Sequence, residues 1–288
     1  MVRGFKLRNE KGQEYSLMDI EKCCLLTDPT GLGISYVTEY EQLGNTFVTS
    51  MRKTEQGKIS GVANSLYYDN LRNLADFIEN SEKLVLVYTV PYKDGAKEYL
   101  KDIELSSLGK TEKNPDTGVL SSPIDLDCKS LWYEEKTVTQ AIEPTEDEVR
   151  WDFKWDSKFT GYDSRSLQTV NEGHVEAPIE VEIDGHVLNP SIELYVDGEL
   201  VQTVEFNVEI DGYEKLLYGT KENGFYVKKQ NTDGTTEDLY EYEDSSVLDF
   251  GNDNVIRLPK GRSCEIRLNA ETDIEKAKIT VYNFYKFV

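Results

Sequence analysis

Residues 84–105 read LVLVYTVPYKDGAKEYLKDIEL. The apolar run 84–90 is the longest in the chain and has the length of a strand, so we predict a buried β-strand there. The turn 93–96 follows, and its Asp94-Gly95 dipeptide tolerates the positive φ that a tight hairpin requires. Residues 98–105 are then predicted to form the partner strand. This stretch therefore predicts a β-hairpin around which the N-terminal half is built.

One helix is predicted just before this hairpin, over residues 65–80. The apolar positions recur at helical spacing and form a single stripe: Tyr67, Leu71, Leu74 and Ile78, with Ala75 beside them. Asn64 or Ser65 can cap the start of this helix with a side-chain oxygen. Asn80 can end it in a left-handed turn.

Turn signals divide the rest of the N-terminal half into short strands. The turn 9–12 separates strand-like segments at 5–7 and 15–17, and residues 34–40 alternate as a strand does. The last long segment of this half is 119–133. One helix packed on a small set of antiparallel strands predicts an α+β or split-barrel domain.

The C-terminal half is predicted to be a β-sandwich. Turn dipeptides recur every 10 to 14 residues, at Asp184-Gly185, Asp197-Gly198, Asp211-Gly212, Asn223-Gly224 and Asp233-Gly234. Strand-like segments lie between them, and residues 277–288 predict a last strand inside a sheet. The stretch 143–148 is acidic and contains a proline but no apolar residue. We therefore predict two domains, 1–143 and 144–288, in a mainly β protein.

The composition favours a strand-rich protein and disfavours nucleic-acid or membrane partners. Aromatic residues make up 11% of the 288 residues, which suits strands and argues against disorder. Residues 1–143 hold 23 acidic and 17 basic residues, a net −6, whereas residues 144–288 hold 31 and 15, a net −16. Tight binding to a phosphate backbone needs Lys/Arg clusters, so neither nucleic acid nor an anionic membrane is an expected partner.

The cysteines and the N-terminus indicate a protein made in the cytosol. The four cysteines lack the spacing of a disulfide framework or a zinc site and are expected to be reduced thiols: Cys23, Cys24, Cys128 and Cys264. No apolar signal segment follows Met1. No apolar run approaches the roughly 18 residues of a membrane span.

No group of residues predicts catalysis, a cofactor or a metal site. The two histidines, His174 and His186, are expected on the surface, because no serine elbow or metal-binding helix motif accompanies them. Gly31-Leu-Gly33 lacks the third glycine of a dinucleotide fingerprint and is interpreted as a tight turn with positive φ. The oxygen-rich stretches 231–238 and 249–254 do not complete a calcium loop, so we interpret them as solvated loops.

The tryptophans near the predicted junction leave two readings open. Trp151 and Trp155 can contact a sugar or a protein partner if they are exposed. Their alternation with Phe153 also fits one buried strand face. Trp132 lies close to the same junction in sequence.

Two stretches resemble the distal tail proteins of phages that infect Gram-positive bacteria. The first is LTDPTGLG at residues 26–33, which leads into Ser35-Tyr36 and then Leu43-Gly-Asn45. The second runs from EIDG at 182–185 to NPSIEL at 189–194. The predicted order of a helix-bearing barrel, a junction and a sandwich agrees with that family over essentially the whole chain.

The resemblance implies a structural hub protein of a phage tail tip or baseplate. In that family the first domain is tail-tube-like and closes into a hexameric ring, which binds the tail tube above and the tail-associated hub protein below. The second domain is a galectin-like β-sandwich that faces outward, where receptor-binding or baseplate proteins dock. DNA would pass through the ring without tight binding. The protein would be made in the bacterial cytoplasm and end in the virion tail tip.

Two other functions remain open from the sequence. A carbohydrate-binding or receptor-binding module, of a phage tail or a cell-surface adhesin, would use an exposed aromatic platform such as Trp151 and Trp155. An enzyme acting on cell-wall polymers would need convergent acids, and no carboxylate pair stands out in so acidic a chain.

Overall fold

The computed structural model describes residues 3–141, 166–221, 225–239, 255–272, 274 and 276–288. These residues form twenty-two strands and one helix, which confirms the mainly β prediction. The chain divides into two compact units, unit 1 (Met1–Glu134 with Phe284–Val288) and unit 2 (Glu135–Asn283). The predicted boundary at 143/144 falls in residues 142–165, outside the described residues, and stays a prediction.

Unit 1 contains the helix and ten strands, the last of which runs into unit 2. The strands are β1 (Gly4–Asn9), β2 (Glu14–Ser16), β3 (Leu25–Thr30), β4 (Tyr36–Leu43), β5 (Thr46–Thr54), β6 (Lys58–Ser65), β7 (Leu84–Tyr92), β8 (Gly95–Leu108), β9 (Leu120–Cys128) and β10 (Trp132–Ala141), and the helix is α1 (Tyr68–Glu79).

The predicted hairpin is the centre of unit 1. Strands β7 and β8 pair from Leu84↔Ile103 to Tyr92↔Gly95, so the hairpin is confirmed, but its turn is only Lys93-Asp94 because Gly95 and Ala96 of the predicted turn 93–96 already belong to β8. β7 continues to β1 and β2, while the long β8 also pairs with β9, which leads on to β6 and β3. All of these pairs are antiparallel. The two branches share β8 and enclose one core, as expected for a split barrel.

The core of unit 1 explains the role of Trp132. This side chain is fully buried, and its Nε1 donates to the carbonyl oxygen of Leu32 at 2.9 Å. The ring of Tyr88 lies 5.5 Å from it and stacks on Phe5 at 4.7 Å. The Nζ of Lys101 lies 4.6 Å from the centre of the Trp132 ring. Trp132 is therefore a core residue of unit 1.

The helix is confirmed and ends at Asn80 as predicted, but the predicted N-terminal cap and the left-handed conformation of Asn80 are wrong. α1 begins after Tyr67, which makes no side-chain cap, and Ser65 instead accepts a hydrogen bond from the Tyr67 amide at 3.2 Å. Asn80 has φ −89° rather than a left-handed conformation. Its side chain donates to the carbonyl oxygen of Asp76 at 2.7 Å and so satisfies one of the last helical carbonyl groups.

Unit 2 contains the remaining strands. They are β11 (Ser166–Val170), β12 (Ala177–Asp184), β13 (Val187–Leu188), β14 (Ser191–Val196), β15 (Glu199–Glu205), β16 (Glu209–Ile210), β17 (Lys215–Gly219), β18 (Tyr226–Gln230), β19 (Thr236–Asp238), β20 (Arg257–Leu258), β21 (Ser263–Asn269) and β22 (Lys276–Tyr285).

Two sheets of unit 2 enclose a single apolar core. One sheet has the order β19-β18-β17-β12-β22, and the other has the order β11-β21-β14-β15. Side chains from both meet in one buried cluster, which includes Val181 of β12, Leu194 of β14 and Ile266 of β21. This arrangement is the predicted β-sandwich. β22 lies between β12 and β10 in strand order, so the prediction of an internal C-terminal strand is confirmed.

The turn dipeptides of unit 2 have different outcomes. Asp197-Gly198 connects the paired strands β14 and β15, and Asp233-Gly234 connects β18 and β19. Asp184-Gly185 and Asp211-Gly212 lie at turns that join strands paired with other partners, so they do not form hairpins. Asn223-Gly224 lies outside the described residues. No helix in the described ranges is long and apolar enough to cross a membrane.

Candidate assembly surface

Strands β4 and β5 form a two-stranded ribbon in unit 1, called here the β4–β5 ribbon (residues 36–54). Within the described ranges the two strands pair only with each other, from Tyr36↔Thr54 to Leu43↔Thr46. The turn between them is Gly44-Asn45, and Gly44 has φ +64°, which glycine adopts without strain. Both outer edges of the ribbon therefore present unpaired backbone groups.

The ribbon begins at the turn that the family resemblance singled out. Gly31 has φ +78°, and a Cβ atom there would lie 1.9 Å from the carbonyl oxygen of Lys58. The next residue, Leu32, is held by the Trp132 hydrogen bond. The Glu55 amide then donates to the Ser35 carbonyl oxygen at 2.9 Å where the ribbon returns to the barrel. The positive φ predicted for this turn is thus confirmed at Gly31.

The β4–β5 ribbon exposes an unusual amount of apolar surface. Every residue of β5 is exposed, and Phe47 near the tip has 70% of its surface open to solvent. Six large hydrophobic side chains are exposed along the ribbon: Tyr36, Tyr40, Leu43, Phe47, Val48 and Met51. An isolated hairpin is marginally stable in water, and contiguous apolar patches mark surfaces of association. The ribbon is therefore the candidate assembly surface of unit 1.

The two faces of the ribbon differ chemically. Residues opposite each other in an antiparallel pair point to the same face, and successive residues alternate. One face, the aromatic face, carries Tyr36, Tyr40, Phe47 and Arg52. The other, the aliphatic face, carries Leu43, Val48, Met51, Glu39, Glu41 and Lys53. The Arg52 guanidinium lies 4.0 Å from the centre of the Tyr36 ring, a cation–π contact that keeps its charge on the aromatic face.

A β-bulge lies in the middle of the ribbon. The register shifts between Glu39↔Met51 and Tyr40↔Thr49, which leaves Ser50 without an opposite residue. Bulges increase the local twist and disturb the edge of a strand pair. The ribbon is therefore a twisted arm with two unlike faces.

The sequence prediction missed half of this surface. It placed a strand at 34–40 but none at 46–54, where β5 lies. The usable signal was Gly44-Asn45 between two alternating segments, a common hairpin pattern. The alternation is weak because both faces mix apolar and charged residues.

The other predicted candidates are placed as follows. Both His174 and His186 are exposed turn residues of unit 2, as expected. Residues 231–235 form the β18–β19 turn, where hydrogen bonds from the Thr235 side chain and amide lower the pKa of Asp233, and the rest of the predicted loop, 236–238, is strand β19. Trp151, Trp155 and the stretch 249–254 lie outside the described residues. The exposed-tryptophan reading therefore stays a prediction.

The cysteines of the described residues are unpaired thiols. Cys24, Cys128 and Cys264 are buried, and burial raises the pKa of each thiol above its ordinary value. A raised pKa disfavours the nucleophilic thiolate. These three residues are therefore packing residues.

Comparison with known proteins finds a family model that matches part of the chain. Residues 4–129 match the distal tail protein N-terminal domain. No curated protein matches the chain.

The whole chain has the fold of solved phage proteins. It is similar to a chain of the phage P2 baseplate in its activated conformation with calcium, at 16% identity, with 100% of both chains covered and a TM-score of 0.67. The strontium form of that baseplate matches at 15% identity, 100% of both chains and a TM-score of 0.67. The crystal structure of the Dit protein of phage SPP1, described as a paradigm of the hub adsorption apparatus in phages that infect Gram-positive bacteria, matches at 10% identity, 97% of this chain, 98% of that chain and a TM-score of 0.54.

Proposed function

We propose that this chain, whose residues 4–129 match the distal tail protein N-terminal domain, is a hub protein of a phage tail tip or baseplate and works as a hexameric ring. The observation that supports the ring is the β4–β5 ribbon, which leaves six large apolar side chains exposed to solvent. In this proposal a second copy of unit 1 covers the exposed apolar side chains.

The unlike faces of the ribbon support a ring rather than a two-fold dimer. A ring closes head to tail, so each copy must present two different, complementary surfaces. The aromatic face carries Arg52, and the Nζ of Lys286 lies 5.9 Å from the centre of its Tyr36 ring, whereas the aliphatic face carries Glu39 and Glu41 beside Lys53. The aromatic face of one copy therefore complements the aliphatic face of the next in charge.

The ring has further partners in this proposal. It binds the tail tube on one side and the tail-associated hub protein on the other, and receptor-binding or baseplate proteins dock on the sandwich of unit 2. The chain carries a net charge of −22, so DNA passes through the ring without tight binding. The protein is made in the host cytoplasm and ends in the virion tail tip.

The proposed role involves no catalysis. The family is one of structural tail proteins, and the two histidines of the chain lie in separate turns on the surface of unit 2. A hydrolase assay on host cell walls should show no activity above buffer. Activity that survives repurification would contradict this part of the proposal.

Native mass spectrometry and negative-stain microscopy test the ring directly. The full-length chain should give a hexamer and six-fold particles with a central hole. Monomers alone across a wide concentration range would count strongly against the proposal. Immunogold labelling should mark only the tail tip, because a label along the whole tail would indicate a tube protein instead.

A further inference from the structure

Three potential metal ligands meet on the surface of unit 2. The side chains of His186, Glu209 and Asp211 each offer a ligand atom, and these atoms all lie within 4.8 Å of one another. The Nδ1 of His186 is 3.8 Å from Oε1 of Glu209. The residues come from two places 23 to 25 positions apart in the sequence, so their meeting depends on the fold.

The short β13–β16 ladder explains why they meet. Val187 pairs with Ile210 and Leu188 pairs with Glu209 in antiparallel register. Val187 and Ile210 are both fully buried, so their face of the ladder points into the core. His186 and Asp211 are the next opposite pair, and Glu209 is two residues from Asp211. All three ligands therefore share the outward face.

Hydrogen bonds that do not involve the proposed metal-binding atoms hold the β13–β16 ladder in place. The Thr272 hydroxyl accepts from the Leu188 amide at 3.0 Å and donates to the His186 carbonyl oxygen at 3.2 Å. The Asp211 amide donates to Oε2 of Glu214 at 3.1 Å. These contacts use the backbone of His186 and Asp211. The imidazole and both carboxylates keep their metal-binding atoms on the solvent side.

We propose that His186, Glu209 and Asp211 bind one divalent transition-metal cation of the zinc class. Imidazole nitrogen with carboxylate oxygen is a donor set that zinc accepts, whereas calcium takes six to eight oxygens. Tetrahedral zinc with bonds of about 2.0–2.2 Å holds its ligands roughly 3.3–3.5 Å apart. The observed 3.8 Å between Nδ1 and Oε1 is close to that spacing.

The charge of the site and its exposure fit a cation with an open coordination position. The two carboxylates carry two negative charges, in a chain half whose net charge is −16. Such a field concentrates cations. Three protein ligands leave the fourth position of a tetrahedral ion for water or for a group from another molecule.

Calorimetric titration of the untagged full-length chain with zinc chloride tests the site. We expect one zinc ion per chain for the wild type. His186→Gln and Asp211→Asn should each weaken binding at least about tenfold, because each removes a direct ligand. His174→Gln, which alters the other histidine, is the matched control and should bind as the wild type does. Glu209→Gln should behave as the two ligand variants do.

Two further measurements distinguish zinc coordinated by these three residues from zinc bound nonspecifically elsewhere on the chain. Cobalt(II) should give visible absorption bands with the wild type and lose them with His186→Gln. Zinc should raise the melting temperature of the wild type but not of that variant, because only a ligand bound to the folded state stabilises it. Equal zinc binding in the wild type and His186→Gln, for example through Cys23, would overturn the proposal. Preference for calcium over zinc would overturn it too.

Discussion

Gly31 shows how one residue positions the candidate assembly surface. Its φ of +78° and the Lys58 carbonyl oxygen, 1.9 Å from an ideal Cβ, leave no room for a side chain. Gly31→Ala should therefore lower the free energy of unfolding by roughly 2–4 kcal/mol in urea denaturation. Gly12 is the matched control, since its φ is +73° with nothing within 4 Å. Gly12→Ala should cost only about 1 kcal/mol, and equal costs would contradict the steric argument.

Lys101 is a residue that the sequence placed on a strand without foreseeing its burial. Only 4% of it is exposed, and burial lowers the pKa of its amine, an effect that the neighbouring Cys128 partly offsets. Between the folded pKa and the ordinary value of 10.5, the unfolded chain binds more protons than the folded one. The contribution of Lys101 to stability therefore rises with pH across that window.

Lys101→Met should flatten this pH dependence while it keeps the packing on Trp132. The measurement is urea denaturation at several pH values from neutral to about 10, near the ordinary lysine pKa. Lys97→Met, at a side chain 56% exposed, is the control and should keep the wild-type slope. An unchanged slope in Lys101→Met would mean that this amine is not the titrating group.

At the scale of elements, the amphipathic helix α1 could be predicted from the sequence, whereas the fully exposed strand β5 could not. The helix was predictable because Leu74 and Ile78 repeat at helical spacing and are buried. The end at Asn80 was predictable too, but the geometry of the two caps was not, because Ser65 and Asn80 make local hydrogen bonds in place of the predicted ones. Strand β5 escaped prediction because neither of its faces is buried, so no alternation between apolar and polar residues marks it.

The metal-ligand cluster escaped prediction for another reason. His186 was predicted as a surface histidine, and it is one. Its neighbours Glu209 and Asp211 are brought to it by the β13–β16 register, which depends on the whole sandwich core. A spacing of 23 to 25 residues carries no signal of its own in so acidic a chain.

The β4–β5 ribbon makes the sharpest prediction at this scale. Phe47→Asp places a charge at an exposed tip residue, so it should leave the circular dichroism spectrum unchanged but abolish the hexamer in native mass spectrometry. A charge desolvated in an apolar contact costs several kcal/mol. Tyr213→Asp is the control, because Tyr213 is 87% exposed in unit 2 and should leave the ring intact. A hexamer that persists in Phe47→Asp would exclude the ribbon tip from the ring contact.

At the scale of the whole molecule, the division of the chain is less simple than two consecutive segments. The sequence predicted a split near 143, but residues 284–288 return to unit 1 after unit 2 is complete. The sequence could not show this, because a strand such as β22 has the same pattern whichever core its last residues join. Among the residues that return, Tyr285 packs into unit 1. It is 9% exposed and belongs to the core of unit 1.

The contacts of Tyr285 determine how much it contributes to the stability of unit 1. Its hydroxyl donates to Oε2 of Glu134 at 2.6 Å, and its ring meets Tyr99 edge-on at 5.3 Å. Tyr285→Ala should lower the stability of unit 1 by about 3 kcal/mol, the usual cost of truncating a buried aromatic residue. Phe287→Ala should cost no more than about 0.5 kcal/mol, because Phe287 is 66% exposed.

A tryptophan probe can assign this loss to unit 1. In a Trp151→Phe, Trp155→Phe background, Trp132 is the remaining tryptophan, and it is fully buried in unit 1. Its fluorescence should report earlier unfolding in Tyr285→Ala but not in Phe287→Ala. Equal midpoints in the two variants would show that the C-terminal segment does not stabilise unit 1. The expected result means that ring assembly must be tested with the full-length chain, because a fragment ending at 134 lacks the residue that completes its core.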